Sequence, residues 1–434
     1  MKLRNQLLAL FCLLVFLGIG VLYFREWAGP QKPFGIILFI GDGLVSGNLT
    51  AARLYDNGAD HPLTLESLPN LALVSNYAND FAVPDSPAAA SAIATGSKVN
   101  NGSIALDPHG QPLPSILDLA RTHGRAIGLV TNGCLTDATT AAFYAHAAHS
   151  NELENIAAQF SDQAKLDVAL GGGAFDFLPS SNGGRRKDGR DLIAELQQKG
   201  HEILRTRADL ENAAAYSTAS RLGIFGDGNF SYAAQTEPGS AQPSLADMTR
   251  RAIQFLQVNR NGYLLVVDAE LISRAAEQND GEHTITETIE LDRAVATALK
   301  YAGGNALIIA VGKHAIGGMA LNGYPLRQEH GVGLLGTNAF GFPAIVWASG
   351  PNGPAPQPIV APAPSPESLS AMPTASPALS SDSSVMKKAP AAFYAPTAVN
   401  TAEHTLGIGS GPGSEALRGV IDNTAIFEML ARQL

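Results

Sequence analysis

The sequence predicts an α/β fold built around a large, mostly parallel sheet. Three observations carry this. Short β-rich apolar runs recur at Phe34–Ile40, Ala126–Thr131, Tyr263–Val267, Ala306–Val311 and Ala344–Ala348. Continuous runs of this kind fit strands buried on both faces, as parallel sheets require. Helical patterns lie between them, at Ser115–Thr122, Asp191–Lys199, Ser244–Val258 and Thr284–Tyr301, and strand–helix alternation builds α/β folds. Finally, polar residues follow four of the strands directly. They are Asp42-Gly43, Thr131-Asn132-Gly133, Asp268-Ala269-Glu270 and Lys313-His314. Open parallel sheets bind ligands at the carboxyl ends of their strands, so these four ends predict one shared site.

Composition bounds the partners. The 434 residues carry a formal charge of −10, and 45% are hydrophobic. The acidic balance argues against nucleic-acid binding by phosphate neutralisation. Cys12 and Cys134 lie far apart in sequence, which excludes a Cys-based zinc site and makes an intrachain bridge implausible.

The N-terminus reads as an anchor. Lys2 and Arg4 precede an unbroken apolar run from Leu7 to Phe24. Its helical length, roughly 27 Å, approaches a hydrocarbon core of about 30 Å. No Ala-x-Ala cleavage site follows. Residues 1–27 are therefore expected to be a signal anchor, with the domain 33–434 on the extracytoplasmic side (the periplasm in a Gram-negative bacterium). A cleaved signal peptide is the alternative. A Pro/Ala/Ser-rich stretch at about 350–391 reads as a disordered insertion in that domain. Order is expected to return near Ala398, with a last helix over Gly419–Leu434.

Three motifs could carry chemistry. Asp42, between two glycines at a strand end, reads either as a metal ligand or as an Asp-Gly turn. Ser86 before Pro87 reads as a helix N-cap; the same geometry would stabilise an alkoxide or a bound phosphate. Asp137 and Thr139 could share one hard cation such as Mg²⁺, or cap a helix at Thr140–Ala148. Isolated histidines are usually structural, but His314 follows a strand and His404 ends the insertion.

Together these motifs resemble the alkaline phosphatase family. The likeness covers about residues 35–349 and 398–434, through ordered blocks that include FIGDG, DSPAAASAIATGSKVNNG, TDATTAAFYAHAAH and GPGSEALRGVIDNTAIF. It implies a three-layer sandwich with the large sheet flanked by helices, often as a homodimer. It implies hydrolysis of a phosphomonoester through a phosphoseryl intermediate, with two zinc ions and one Mg²⁺. Ser86 matches the nucleophile, preceded by Asp85. Asp42 matches the carboxylate shared by the second zinc and magnesium. Asp137 and Thr139 match magnesium ligands, and Asp268 matches a third that is a longer Glu in the family. His314 matches a ligand of the second zinc and His404 one of the first.

Four positions depart from that pattern. Ser273 and Glu277 stand where the first zinc takes Asp and His, although Glu277 keeps a carboxylate. Lys313 stands where the second zinc takes Asp, and Ser150 stands for the phosphate-clamping Arg. Zinc is thus expected at partial occupancy at most. An ammonium at Lys313 would repel a dication about 4 Å away. It is expected instead to replace the second zinc, pairing with Asp42 beside Ser86. A Lys313–Glu277 salt bridge across an emptied site is the competing expectation. The resulting function is a phosphomonoesterase with a rebuilt site, or an inactive relative that binds phosphate, another small anion or a partner. A sulfatase or phosphodiesterase is disfavoured, because Pro87 directly follows Ser86 and no Arg comes shortly after.

Overall fold

The computed structural model describes residues 2–28, 32–56, 58–217, 219–237, 239–322, 336–337, 342–354 and 389–434. The first eight strands are β1 (Gly35–Gly41), β2 (Asn70–Ser75), β3 (Ala126–Cys134), β4 (Val168–Gly172), β5 (Glu202–Leu204), β6 (Arg221–Ile224), β7 (Tyr263–Ala269) and β8 (Ala306–Gly312). Five short ones follow: β9 (Ala315–Ile316), β10 (Ala320–Leu321), β11 (Ile345–Gly350), β12 (Ala391–Tyr394) and β13 (Asn400–Thr401). The last two are β14 (Thr405–Ser410) and β15 (Arg418–Asp422).

Ten of these form one sheet in the order β15-β2-β14-β8-β1-β7-β3-β4-β6-β5. Only β14 runs antiparallel to its neighbours, β2 and β8. The sheet is sandwiched between helices. Along β1, Ile37 and Phe39 enter one apolar cluster while Ile36, Leu38 and Ile40 enter the other. That two-sided burial explains why the strand reads as a continuous apolar run. Helices Ser46–Asp56, Leu245–Leu256 and Gly281–Tyr301 cover the first face. Helices Ser86–Thr95, Ile116–Thr122, Leu153–Asp162, Leu192–Gln198 and Thr424–Gln433 cover the second.

Four expectations need correction. The run at Ala344–Ala348 is a strand, β11, but it joins β10 and β12 in a separate sheet. Order returns before Ala398, because β12 begins at Ala391 and pairs with β11. The last helix is shorter than expected: residues 418–422 form β15, paired with β2, and the helix spans Thr424–Gln433. The helix at Thr140–Ala148 is one short turn, Ala138–Ala141. There the Thr140 hydroxyl lies 3.0 Å from the Leu135 carbonyl and 2.9 Å from that of Asp137, a local alternative to helix extension.

Residues Lys2–Ala28 form one helix, with Leu7, Phe11, Leu14 and Phe16 exposed. No helix among the described residues is long and apolar enough to cross a membrane, so the structure gives the expected anchor no support. Most of the expected insertion, 355–388, lies outside the described residues.

One buried carboxyl ties the sheet to the helices around the site. Glu287, on Gly281–Tyr301, accepts from the Ala233 amide (2.6 Å) and from Asn132 Nδ2 (3.1 Å). Asn132 Oδ1 in turn accepts from the Leu271 amide at 3.3 Å. Burial pushes the Glu287 carboxyl up from 4.5 to about 8, against the Ala233 hydrogen bond. The folded state therefore holds a proton that the unfolded chain has released. Stability from this group is full below about pH 4.5 and falls as pH rises toward about 8. Glu287→Gln should flatten that fall, by a few kcal/mol across the window. Chemical denaturation at stepped pH checks it; a slope unchanged from the wild type would assign the titration elsewhere.

Candidate active site at the strand ends

Sheet register brings the polar residues together. Gly41 of β1 pairs with Gly312 of β8, so the next residues, Asp42 and Lys313, emerge side by side. Ile40 pairs with Asp268 of β7, and Asp268 pairs with Thr131 of β3. After Asp42 the chain turns at Gly43, whose φ of +92° suits a residue without a Cβ. Gly133 is needed for a different reason. A Cβ there would meet Glu270 Cγ at 2.7 Å and Asp137 Oδ2 at 2.9 Å.

Ser86 arrives from the other side, at the start of helix Ser86–Thr95. The cap is one residue earlier than expected. Asp85 is the N-cap, and its carboxylate accepts from the amides of Ala88 (3.0 Å) and Gly102 (2.6 Å). Because Asp85 caps the helix, the Ser86 hydroxyl is left to face the strand ends.

Lys313 is the hub. Its side chain is 0% exposed and Asp42 is 1% exposed. Nζ lies 2.6 Å from Asp42 Oδ2, 2.6 Å from Ser86 Oγ and 2.6 Å from Thr139 Oγ1. An ammonium has three N–H donors, and each has an oxygen here. The second oxygen of Asp42 lies 3.5 Å from His314 Nε2. The Ser273 hydroxyl sits between Asp42 Oδ2 (3.1 Å) and the Glu270 carbonyl (2.8 Å). Asp268 accepts from Thr131 Oγ1 at 2.9 Å through one oxygen, while its other oxygen is buried without a hydrogen-bond partner.

Charge follows from this geometry. Burial alone would raise the Asp42 carboxyl. Lys313, His314 and hydrogen bonds from Glu270 and Lys313 outweigh it and hold Asp42 well below the usual carboxylate range. Burial alone would lower Lys313, but Asp42, Glu270 and Asp268 reverse this and keep it charged. Burial, then repulsion from Asp42, pushes Asp268 up to about 8. Burial with Asp42 and Asp137 raises Glu270 well above its usual value. Burial lowers His314 to about 4, against the pull of Asp42, so its imidazole is neutral at pH 7.

An open cleft of about 240 Å³ gives access to this cluster. Ser86, Asp42, Asp137, His314, Ser150, Ser273 and Glu277 line it. Thr139, Asp268 and Lys313 lie buried behind them. His404 is exposed and does not line the cleft; it directly precedes Thr405, whose hydroxyl donates to the Gly312 carbonyl at 2.6 Å, next to Lys313. The Lys313–Glu277 pair is absent: Glu277 faces Arg274, with Nη1 3.6 Å from Oε2.

Arg274 belongs to none of the sequence motifs. It projects from helix Leu271–Glu277 into the cleft, with Nη2 2.8 Å from Glu270 Oε1 and 3.4 Å from Asp137 Oδ1. Its spacing gave a signal, four residues after Glu270 and three before Glu277, which places the three on one helical face.

The residues do not fit the family's metals. Zinc lacks ligands: Ser273 bonds Asp42, Glu277 faces Arg274, and a fixed ammonium stands beside Asp42. Magnesium would suit the oxygen donors and the orphaned Asp268 oxygen. Lys313 Nζ, however, already occupies Asp42 Oδ2 and Thr139 Oγ1. Among the described residues no group of three or more His, Cys, Asp or Glu is arranged to hold a metal.

A sequence model described as alkaline phosphatase matches residues 35–434. Alkaline phosphatase 4 of Bacillus subtilis is 31% identical over 69% of this chain and 65% of its own length. The Escherichia coli alkaline phosphatase is 32% identical over 67% of this chain and 72% of its own. Against the solved alkaline phosphatase of the Antarctic bacterium TAB5, the fold aligns with a TM-score of 0.71 at 22% identity, over 93% of this chain and 98% of that one.

Proposed function

Because the chain belongs to the alkaline phosphatase family, we propose that it hydrolyses phosphate monoesters through Ser86, with the Lys313 ammonium in the place of a metal ion. The observation behind this reading is the 2.6 Å approach of Nζ to Ser86 Oγ, with Asp42 and Thr139 holding the amine in position. A charged Lys313 is no general base. Its role is electrostatic: a fixed donor aimed at the oxygen where negative charge develops.

The balanced reaction has two steps. Ser86 Oγ forms a bond to phosphorus as the bond to the leaving oxygen breaks, and the hydroxyl proton ends on the leaving alcohol. Water then attacks the phosphoseryl group, releasing inorganic phosphate and returning a proton to Oγ. A single ammonium is a point charge on a flexible stem and polarises oxygen less than zinc does. Turnover is therefore slow beside that of a two-zinc site.

Hydrolysis of an aryl phosphate by the full chain tests this. Ser86→Ala should reduce it to background, and an excess of chelator should leave the wild type unaffected. Loss of turnover on chelation, restored by zinc, would sink the lysine reading. The second reading is an inactive relative that binds an anion or a partner. Ser150 favours it, by leaving the cleft without an arginine at that position; phosphate binding without turnover would select it.

Residues 1–27 are assigned in the same reading to membrane attachment, with the catalytic domain extracytoplasmic. Their apolar run and flanking Lys2 and Arg4 support this. Recovery of the full chain in the soluble fraction of lysed cells would refute it.

A further inference from the structure

The domain carries its basic side chains unevenly. The whole chain has a formal charge of −10, yet exposed cations gather where the parallel strands begin. Lys32, Lys165 and Arg260 each stand three residues before a strand, β1, β4 and β7 in turn. Lys300 lies in the last turn of the helix before β8, and Arg418 opens β15. β1, β3, β4, β7 and β8 run parallel. β15 runs with them, because β14 is antiparallel to both β8 and β2. All five cations therefore sit at one end of the sheet, opposite the cleft. Each is exposed, and none pairs with an acidic side chain among the described residues.

Nearby carboxylates do not offset them. Asp118 pairs with Arg121, Asp162 with Lys199 and Glu202 with Arg221. Asp167 accepts from the Ile127 amide at 2.8 Å and Glu415 from the Gly413 amide at 2.9 Å. These last two, facing five unpaired cations, leave the face positive.

The same face receives the chain. The Lys32 carbonyl accepts from Asn305 Nδ2 at 3.3 Å, and the Pro33 carbonyl from Arg125 Nη1 at 3.0 Å. Three residues separate Lys32 from the end of helix Lys2–Ala28, and four Cα steps reach at most about 15 Å. The helix that exposes Leu7, Phe11, Leu14 and Phe16 is thus tethered closely to a basic surface.

We infer that this strand-start face docks on anionic phospholipid headgroups. An apolar helix and a basic surface on one short tether match the hydrocarbon and the phosphates of such a bilayer. Each basic residue beside an anionic membrane strengthens association about fivefold. The seven residues of β1 then hold the cleft about 23 Å above the lipid, open to soluble phosphate esters. The inference takes the attachment of residues 1–27 from the proposed function and adds the orientation of the domain.

Lysine acylation by a membrane-impermeant reagent, read by mass spectrometry on the full chain, reports the docked face. With phosphatidylglycerol vesicles, Lys165 and Lys300 should react about tenfold more slowly than with phosphatidylcholine vesicles. Lys187, exposed at the cleft end beside Glu154, should keep its rate. In about 1 M salt, where the Debye length is about 3 Å, the difference should vanish. Arg260→Gln with Arg418→Gln removes two cations that the reagent does not modify, and should restore most of the lost reactivity.

Flotation of the same samples reads attachment separately. Equal Lys165 and Lys300 rates with both lipids would overturn the docking, and a chain that floats with both would keep its attachment through residues 1–27. Protection by phosphatidylglycerol without flotation on phosphatidylcholine would uphold the docking and remove the apolar attachment. Protection of Lys187 to the same extent would mean adsorption without orientation, which overturns the docking too.

Discussion

Lys313→Met should slow turnover by about 10²–10³ and strip the fold of about 3–5 kcal/mol at neutral pH. The activity loss follows from removing a charged donor aimed at Ser86 Oγ; deleting one such donor costs about 10²–10³ in rate. The stability loss follows from what stays behind. Asp42 is 1% exposed and paired to Lys313 at 2.6 Å, and breaking a buried pair leaves an uncompensated charge, which costs about that much. Methionine keeps the length and apolar stem, so the effect reads charge rather than volume. Unfolding by denaturant, with aryl phosphate kinetics on the same samples, separates the two losses. A variant as stable as the wild type would mean that the carboxyl cluster is neutralised by protons alone.

The reverse substitution makes the second prediction. Lys313→Asp should make the chain zinc-dependent. With Asp42 and His314 already adjacent, the new carboxylate completes three protein ligands, the usual number for a catalytic zinc. Without metal the variant should be less stable than Lys313→Met, because a further carboxylate joins Asp42, Asp268 and Glu270. With zinc at a hundred times its dissociation constant it should recover about 2.7 kcal/mol. Thermal unfolding with and without zinc reads this. Combining Lys313→Asp with Ser150→Arg, Ser273→Asp and Glu277→His should raise aryl phosphate turnover above the wild type, on the order of 10²-fold. No zinc uptake by Lys313→Asp would show that this strand end is closed to metal for a reason beyond the lysine.

How much of this was legible depends on where the information lies. β1, β3, β7 and β8 announced themselves because both their faces are buried, so each is a local run of apolar residues. β2 alternates exposed Leu71 and Leu73 with buried Ala72 and Val74. β14 reads Thr-Leu-Gly-Ile-Gly-Ser, with two glycines that blunt any strand signal. β15 exists only through its pairing with β2, a contact more than 340 residues away in sequence that no local pattern encodes. The start of the last helix was misplaced for the same reason.

The site was more legible than the sheet edge. Polar residues after four buried strands must converge, whatever the chain does elsewhere. The place of Lys313 beside Asp42 follows from that convergence, and its approach to Ser86 from the family resemblance. Arg274 was not legible as a site residue, because its meaning comes from Asp137, which approaches from another loop. The cap falls one residue before Ser86, since Asp85 and Ser86 are both good caps and only the tertiary contact with Lys313 distinguishes them.

The burial of Lys313 has a consequence for supply. A metal ion is a separate reagent: it is loaded after synthesis, lost to competitors and absent when the surroundings are poor in it. A cation on a side chain is translated with the polypeptide. In this reading the protein has no unloaded form, and every folded copy carries one fixed charge at its nucleophile whatever the trace-metal content of its surroundings.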